Sequence, residues 1–400
     1  MNTLVTGGAG FIGSNFVKHI LERKGNRDKI IILDALTYAG NLDNLSEYLN
    51  KDNLLVPDEQ VSLEAFRWNL ESELAETPSF ERDSARLSFK LSGRDYLTVK
   101  TEQIGEAASK ALEGSELVFV AANISDQKTA KQLLKLADVV VNFAAETHVD
   151  RSILNPDQFI KTDVYGTYIL LEAARESERL TKFVHVSTDE VYGVASEHSF
   201  SEKDPINPRN PYSASKAAAD RLVYAYNQTY GLPVNIVRPS NNFGPYQYPE
   251  KLIPVMILKA LRDEQLPVYG NGKQIRDWLY VRDTAKAIEL VIDKGIIGEV
   301  YNIAGGNEKE NTWIIHSILN HLNKPSSLIK YVKDRPGHDV RYSLDDSKLR
   351  KELGYSETET LEERLQETVE WYVKNQNWWE KILNNDKEYK EFMEKWYGER

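Results

Sequence analysis

Apolar residues follow two rhythms along the first 240 positions. Short, mostly apolar runs occur at Thr3–Val5, Lys29–Leu33, Leu117–Ala121, Val139–Phe143, Phe183–Val186 and Val234–Arg238. Runs this short and this apolar predict strands buried on both faces. Between them the apolar positions take helical spacing. Ser14 to Lys24, for instance, aligns Phe16, Val17, Ile20 and Leu21. Strand alternating with helix predicts an α/β fold, a doubly wound parallel sheet of the Rossmann type. After Asn241 the rhythm breaks into proline- and aromatic-rich loops with shorter elements. That predicts a smaller C-terminal substrate lobe folded over the strand ends. From Glu362 the chain turns helical and carries Trp371, Trp378, Trp379 and Trp396, which are expected to pack rather than bind.

Residues 53–114 read as a small α+β insertion. Pro57 to Ala75 carries a helical stripe at Leu63, Phe66, Leu70 and Leu74, and Pro78 stops it. Arg86 to Leu91 alternates, Ser92-Gly93-Arg94-Asp95 reads as a turn, and Tyr96 to Thr101 alternates again, so a hairpin is expected. Glu102 to Leu112 then looks helical and ends near Gly114. The expected domains are 1–52 with 115–240, rejoined by a segment near 278–303; the insertion 53–114; and 241–400.

Composition narrows the function. The chain has 400 residues, 41% of them hydrophobic and 28% charged, which suits a globular protein of two lobes. Its net charge of −11, with acids and bases interspersed, offers no basic stripe for nucleic acid. No cysteine is present, so thiolate metal sites and cysteine nucleophiles are excluded. That fits a reducing cytoplasm. The seven histidines are scattered, and no metal constellation is expected. The first apolar run already leads into a glycine turn, so no signal peptide is expected, nor any membrane span.

The first strand and helix flank Gly7, Gly8, Gly10 and Gly13 in NTLVTGGAGFIGSN. Early glycines permit the tight turn. Gly10 lets backbone approach a pyrophosphate, and Gly13 lets helix pack on strand. The helix N-terminus then meets the anion with free N–H groups. The second strand ends at Asp34, about 20 residues on, where an acid binds a ribose 2′-hydroxyl. Ala35 follows rather than an arginine, and Asp34 would repel a 2′-phosphate, so NAD is expected over NADP.

The fifth run ends in HVSTDEVYG, which sets Thr188, Asp189 and Glu190 at the mouth of a buried strand. Charge is costly there. The corner is either a wet surface turn or a place of chemistry. In NPYSASKAAADRL, proline near the first turn starts a helix on which Tyr212 and Lys216, four apart, share a face. A lysine ammonium beside a tyrosine stabilises its phenolate, which can then take a proton from an alcohol.

Together these stretches resemble the extended short-chain dehydrogenase/reductase superfamily, and within it the nucleotide-sugar 4,6-dehydratases. The resemblance runs through TGGAGFIGSN, DALTYAGNL, NFAAETHVDRS, STDEVYG, PYSASKAAAD, SNNFGPYQYPEKLIP, GNGKQIRDWLYV, YNIAGGNEKEN and DRPGHDVRY, and spares roughly 53–114. It implies oxidation at carbon 4 of a nucleoside-diphosphate hexose, loss of water across carbons 5 and 6, and return of the hydride. Tyr212 is then the base at the 4-hydroxyl, with Lys216 beside it. Thr188 hydrogen-bonds there, Glu190 takes the carbon-5 proton, and protonated Asp189 gives one to the leaving 6-hydroxyl. Two carboxyls held close suit such work, because like charges disfavour double ionisation.

Further implied cofactor contacts are Phe11 and Ile12 at the pyrophosphate, Asp34, Ala35, Leu36 and Thr37 at the adenosine ribose, and Asn123 and Ile124 beside adenine. Ala144, Ala145 and Glu146 close over NAD, with Thr162 nearby and Asn242 at the nicotinamide. Asn123 stands where the family has aspartate, though its amide oxygen can still accept from adenine; Asp163 stands where many relatives have asparagine. Implied substrate contacts are Thr147, Thr188, Asn241, Lys251, Leu252, Pro267, Tyr269, Arg276, Asn311, Arg335, His338 and Tyr397. Arg276 and Arg335 offer bidentate forks to a diphosphate. The expected substrate is dTDP-glucose. A UDP-glucose dehydratase, a 4-epimerase and an NAD-binding scaffold without catalysis are the alternatives. A homodimer is implied, and the insertion is read as either a partner or regulatory site or a neutral decoration.

Overall fold

The computed structural model describes residues 1–23, 28–58, 94–334, 339–357, 359–386, 389–391 and 393–394. Two compact units emerge, Met1–His185 with Ala218–Val234, and Val186–Ala217 with Asn235–Arg400.

The first unit holds β1 (Asn2–Thr6), β2 (Lys29–Asp34), β3 (Leu54–Pro57), β4 (Leu97–Val99), β5 (Leu117–Ala121), β6 (Val139–Asn142) and β7 (Lys182–Val186). They run in the order β4-β3-β5-β2-β1-β6-β7, with parallel pairing throughout. All residues of β5, β6 and β7 are buried, as strands covered on both faces are. Thr6 pairs with Leu33 on one side and Asn142 on the other, so β1, β2 and β6 end level. The chain order reverses at β1, the place where open α/β sheets take their ligands.

The second unit contributes β8 (Val234–Pro239) and, parallel to it, β12 (Val300–Ile303), and the parallel sheet counts nine strands in all. The same unit has β9 (Asn241–Phe243), β11 (Ile275–Tyr280) and β13 (Glu308–Glu310) as a small sheet, with β10 (Leu266–Tyr269) paired to β14 (Ile329–Val332). Its tail is helical at Leu361–Lys374 and Gln376–Asn385. Trp378 and Trp379 are buried, and Trp371 meets Tyr246 at 4.7 Å between ring centroids; these rings pack, while Trp396 lies outside the described residues.

Two sequence expectations need correction. The stretch 53–114 is not set apart from the sheet. Leu54 and Leu55 of β3 pair with Phe119 and Val120 of β5, and helix Ile104–Gly114 turns Ile104, Ala108 and Leu112 inward. Leu97–Val99 pairs in parallel with β3, and the other strand of the expected hairpin lies outside the described residues. The expected helix after Pro57 and the strand 86–91 lie outside the described residues. Val186–Ala217, expected in the nucleotide-binding domain, falls in the second unit. Its polar side chains bond there: Arg209 donates to Asp339 at 3.0 Å, and Tyr342 reaches Glu190.

Candidate active site

The glycine turn forms at the end of β1 because its backbone packs closer than side chains permit. Gly7 takes φ +69°, and a Cβ there would lie 2.7 Å from the Ala144 amide nitrogen. A Cβ on Gly13 would come within 2.3 Å of the Gly7 carbonyl oxygen. Helix α1 (Phe11–Leu21) begins at Gly10, which has no side chain to cap it, so its first turn of N–H groups faces outward along the axis. At the end of β2, Asp34 accepts two backbone hydrogen bonds, from Ala9 at 2.8 Å and Leu36 at 2.7 Å. Leu36 sits at φ +52°, a strained setting for a branched residue, inside the loop Ala35 to Thr37. These features fit a dinucleotide: a cradle that any Cβ would fill, an open helix N-terminus and a diol acceptor.

Beyond β6, the Ala144 N–H donates to Thr6 Oγ1 at 3.3 Å, and the Glu146 N–H donates to Asp163 Oδ1 at 2.8 Å. Asp163 is thus the buried anchor of the Ala144-Ala145-Glu146 turn. It lies with Thr162 in a π-helical turn, Ile160–Gly166, a geometry frequent at functional sites. Ile124 is buried. The Asn123 amide oxygen, expected to meet adenine, instead accepts from both the N–H and the hydroxyl of Ser125, each at 2.9 Å.

In the second unit, the corner after β7 is buried rather than wet. Thr188 caps a single 3-10 turn, Asp189–Tyr192, by accepting the Glu190 N–H, and donates its hydroxyl to Asp189 Oδ1 at 3.1 Å. Asp189 is 3% exposed, and its Oδ2 has no hydrogen-bond partner among the described residues. Burial first, and the Glu190 carboxylate second, push the Asp189 carboxyl up to about 8. It therefore holds a proton at neutral pH.

Helix α2 (Pro211–Tyr230) closes the other side. Its Lys216 ammonium donates to the Val186 carbonyl at the end of β7, at 2.7 Å. Asn210, just before the helix, accepts the Ser213 N–H through Oδ1 and donates from Nδ2 to Glu190 Oε2 at 3.2 Å. Tyr212 lies one turn before Lys216 and is buried. Thr188, Asp189, Glu190, Tyr212 and Lys216 therefore share one unit, tied by two hydrogen bonds between corner and helix.

Of the other expected contacts, Thr147 meets the Tyr38 hydroxyl at 2.8 Å in the first unit. In the second, Asn241 and Asn311 each hold a buried amide oxygen without a partner among the described residues, as an incomplete ligand site would. Asn242 is fully engaged, donating to the Ser240 carbonyl at 2.9 Å and accepting from Thr284 at 2.5 Å. Lys251 and Leu252 start the helix Leu252–Leu261, and Pro267 and Tyr269 lie half-buried on β10. Arg276, expected as a diphosphate fork, is 6% exposed. It donates to the Ile275 and Asp339 carbonyls, its guanidinium 4.4 Å from the Tyr342 ring centre. Arg335, His338 and Tyr397 lie outside the described residues, among which no cluster of metal-ligating side chains occurs.

The sequence reading passed over Asn210, Asp339 and Tyr342. Asn210 was read only as a helix start. Asp339 and Tyr342 lie within DRPGHDVRY, but Tyr342 stands 152 positions from Glu190, and the motif alone does not show what it touches.

A nucleotide turn in one unit and an acid pair beside a Tyr-x-x-x-Lys helix in the other define an NAD-dependent class. Residues 3–77 match the NAD dependent epimerase/dehydratase family, and residues 90–368 match the family described as GDP-mannose 4,6 dehydratase. The chain belongs to this family of nucleotide-sugar 4,6-dehydratases. It is 41% identical to the dTDP-glucose 4,6-dehydratase of Neisseria meningitidis serogroup B, over 95% of this chain and 96% of that one. To an Escherichia coli dTDP-glucose 4,6-dehydratase the identity is 40%, over 96% and 97%. The crystal structure of DesIV, the dTDP-glucose 4,6-dehydratase of Streptomyces venezuelae with NAD and TYD bound, matches with a TM-score of 0.77 and 38% identity, over 96% of this chain and all of that one.

Proposed function

We propose that this protein converts dTDP-glucose to dTDP-4-keto-6-deoxyglucose and water. NAD, when bound by the glycine turn and Asp34, accepts the hydride from carbon 4 and gives it back at carbon 6. Tyr212, with the Lys216 charge beside it, takes the 4-hydroxyl proton while Thr188 hydrogen-bonds that oxygen. The ketone acidifies carbon 5, and Glu190 removes its proton. Asp189 protonates the 6-hydroxyl, which departs as water.

One observation carries the reading. Two neighbouring carboxyls on a buried turn are unequal: burial keeps Asp189 protonated, while Glu190 receives a hydrogen bond from the Asn210 amide. Elimination needs such an acid and such a base on adjacent atoms. Epimerisation needs neither. The orphaned oxygens of Asn241 and Asn311 support a polar ligand in the same unit. Exposed apolar side chains on the first unit's helices (Ile160, Tyr165, Tyr168, Tyr224, Tyr230) support a homodimer. No helix among the described residues is long and apolar enough to cross a membrane, and a cytoplasmic enzyme is proposed.

The test is a product assay on the purified protein without added NAD. The 4-keto-6-deoxy sugar should form from dTDP-glucose, and more slowly from UDP-glucose. Formation of a 4-epimer alone, or of no product with NAD supplied, contradicts the proposal.

A further inference from the structure

Glu190 Oε2 is approached by two donors from opposite ends of the second unit's chain. Asn210 Nδ2 lies 3.2 Å from it, and the Tyr342 hydroxyl 3.4 Å. Tyr342 is 3% exposed and is held from three sides. Its hydroxyl donates to Asp339 Oδ2 at 2.6 Å, and the other Asp339 oxygen takes Arg209 at 3.0 Å. The Arg276 guanidinium covers the ring at 4.4 Å and also bonds the Asp339 carbonyl at 2.9 Å. Burial, with the Glu190 and Asp339 carboxylates beside it, pushes Tyr342 far above the usual tyrosine range. Its hydroxyl keeps its proton and stays a donor.

We propose that Tyr342 is a positioning residue for the base of the dehydration: with Asn210 it fixes Glu190 Oε2, leaving Oε1 to take the carbon-5 proton. The inference rests on the dehydratase reading. A carboxylate bound at one oxygen by two donors loses the rotation about its last bond and presents the other oxygen in one direction. A hydroxyl has one proton, so Tyr342 serves Asp339 and Glu190 in turn. The short 2.6 Å contact gives that proton to Asp339 in this structure. When the hydroxyl turns to Glu190, Tyr342 and Asn210 hold Oε2 together. Once the carbon–hydrogen bond breaks and Glu190 holds the proton, the electron pair passes into the carbon 5–carbon 6 double bond. The carbon–oxygen bond at carbon 6 breaks with Asp189's proton, and Tyr342 returns to Asp339. The otherwise structural pair Arg209–Asp339 thereby sets where the base points.

The experiment is single-turnover stopped flow at 340 nm, using the NAD-loaded enzyme and dTDP-glucose. The rise reports oxidation at carbon 4, and the decay reports passage through elimination. In Tyr342→Phe the rise should keep its wild-type rate. The decay should slow about tenfold to a hundredfold, with incorporation of solvent deuterium at carbon 5 slowing in proportion and KM holding within about twofold. Asn210→Asp keeps the acceptor for the Ser213 N–H but loses the donor, so it should slow the decay at least as much. A wild-type decay in folded Tyr342→Phe, or a rise and decay slowed equally in both variants, overturns the assignment. A wild-type enzyme with neither signal nor product overturns the dehydratase reading itself.

Discussion

Asp34 closes β2 and Asp189 follows β7, both at the C-terminal ends of parallel strands and both buried, at 7% and 3% exposure. Their partners differ. Asp34 receives a backbone N–H on each oxygen and is built to accept. Asp189 receives only the Thr188 hydroxyl, on one oxygen, and has no partner on the other among the described residues. Burial therefore wins, and the carboxyl keeps its proton up to about 8. The same residue at the same kind of strand end becomes a cofactor acceptor or a proton donor according to how many backbone donors face it.

The largest effect should come from removing the donor. Asp189→Asn keeps shape and burial but has no acidic proton, so kcat should fall about 10²- to 10⁴-fold in steady-state assays of the keto product. The 340 nm rise should persist. Next, Asp34→Asn turns an amide nitrogen toward one of two N–H donors. NAD affinity, measured by calorimetry on cofactor-stripped protein, should weaken about 10- to 100-fold, while kcat at saturating NAD changes less than about threefold. If Asp34→Asn lost kcat and Asp189→Asn lost NAD affinity, the contrast would be reversed and the account wrong.

The contrast also shows what a one-dimensional reading reaches. The six short apolar runs became β1, β2, β5, β6, β7 and β8, because burial on both faces leaves a compositional trace. Thr188 to Glu190 and the Tyr212–Lys216 face were visible because each is a local pattern. What decides the Asp189 proton was not visible: the absence of a second donor exists only after folding. Nor was the clamp on Glu190, since Tyr342 and Asn210 reach it from 152 and 20 positions away. The 53–114 stretch misled for a related reason. Its first strand, Leu54–Pro57, was not read as one, and that strand pairs with β5 and β4 as part of the sheet. Arg276 was expected as an anion fork, and its burial against neighbours from distant chain positions was not legible.

Two smaller effects sharpen the comparison. Gly13→Ala places a Cβ 2.3 Å from the Gly7 carbonyl, which forces the turn to open. Urea unfolding should show a loss of about 2 kcal/mol, with weaker NAD binding. The Asp189 carboxyl also links stability to pH. Its folded value of about 8 lies above the ordinary 3.8, so the folded state binds the extra proton between those limits. Wild-type stability should therefore decline as pH rises from about 4 through about 8 relative to Asp189→Asn, whose thermal midpoint should show a flatter slope. A parallel pair of slopes would place the carboxyl in its ionised form throughout.

The most direct measurement is the carbon-13 NMR titration of carboxyl-labelled aspartate in the intact enzyme, with the Asp189 signal assigned by its loss in Asp189→Asn. The account predicts a protonated carboxyl at pH 7 that titrates near 8. A signal already ionised at pH 6 would contradict it.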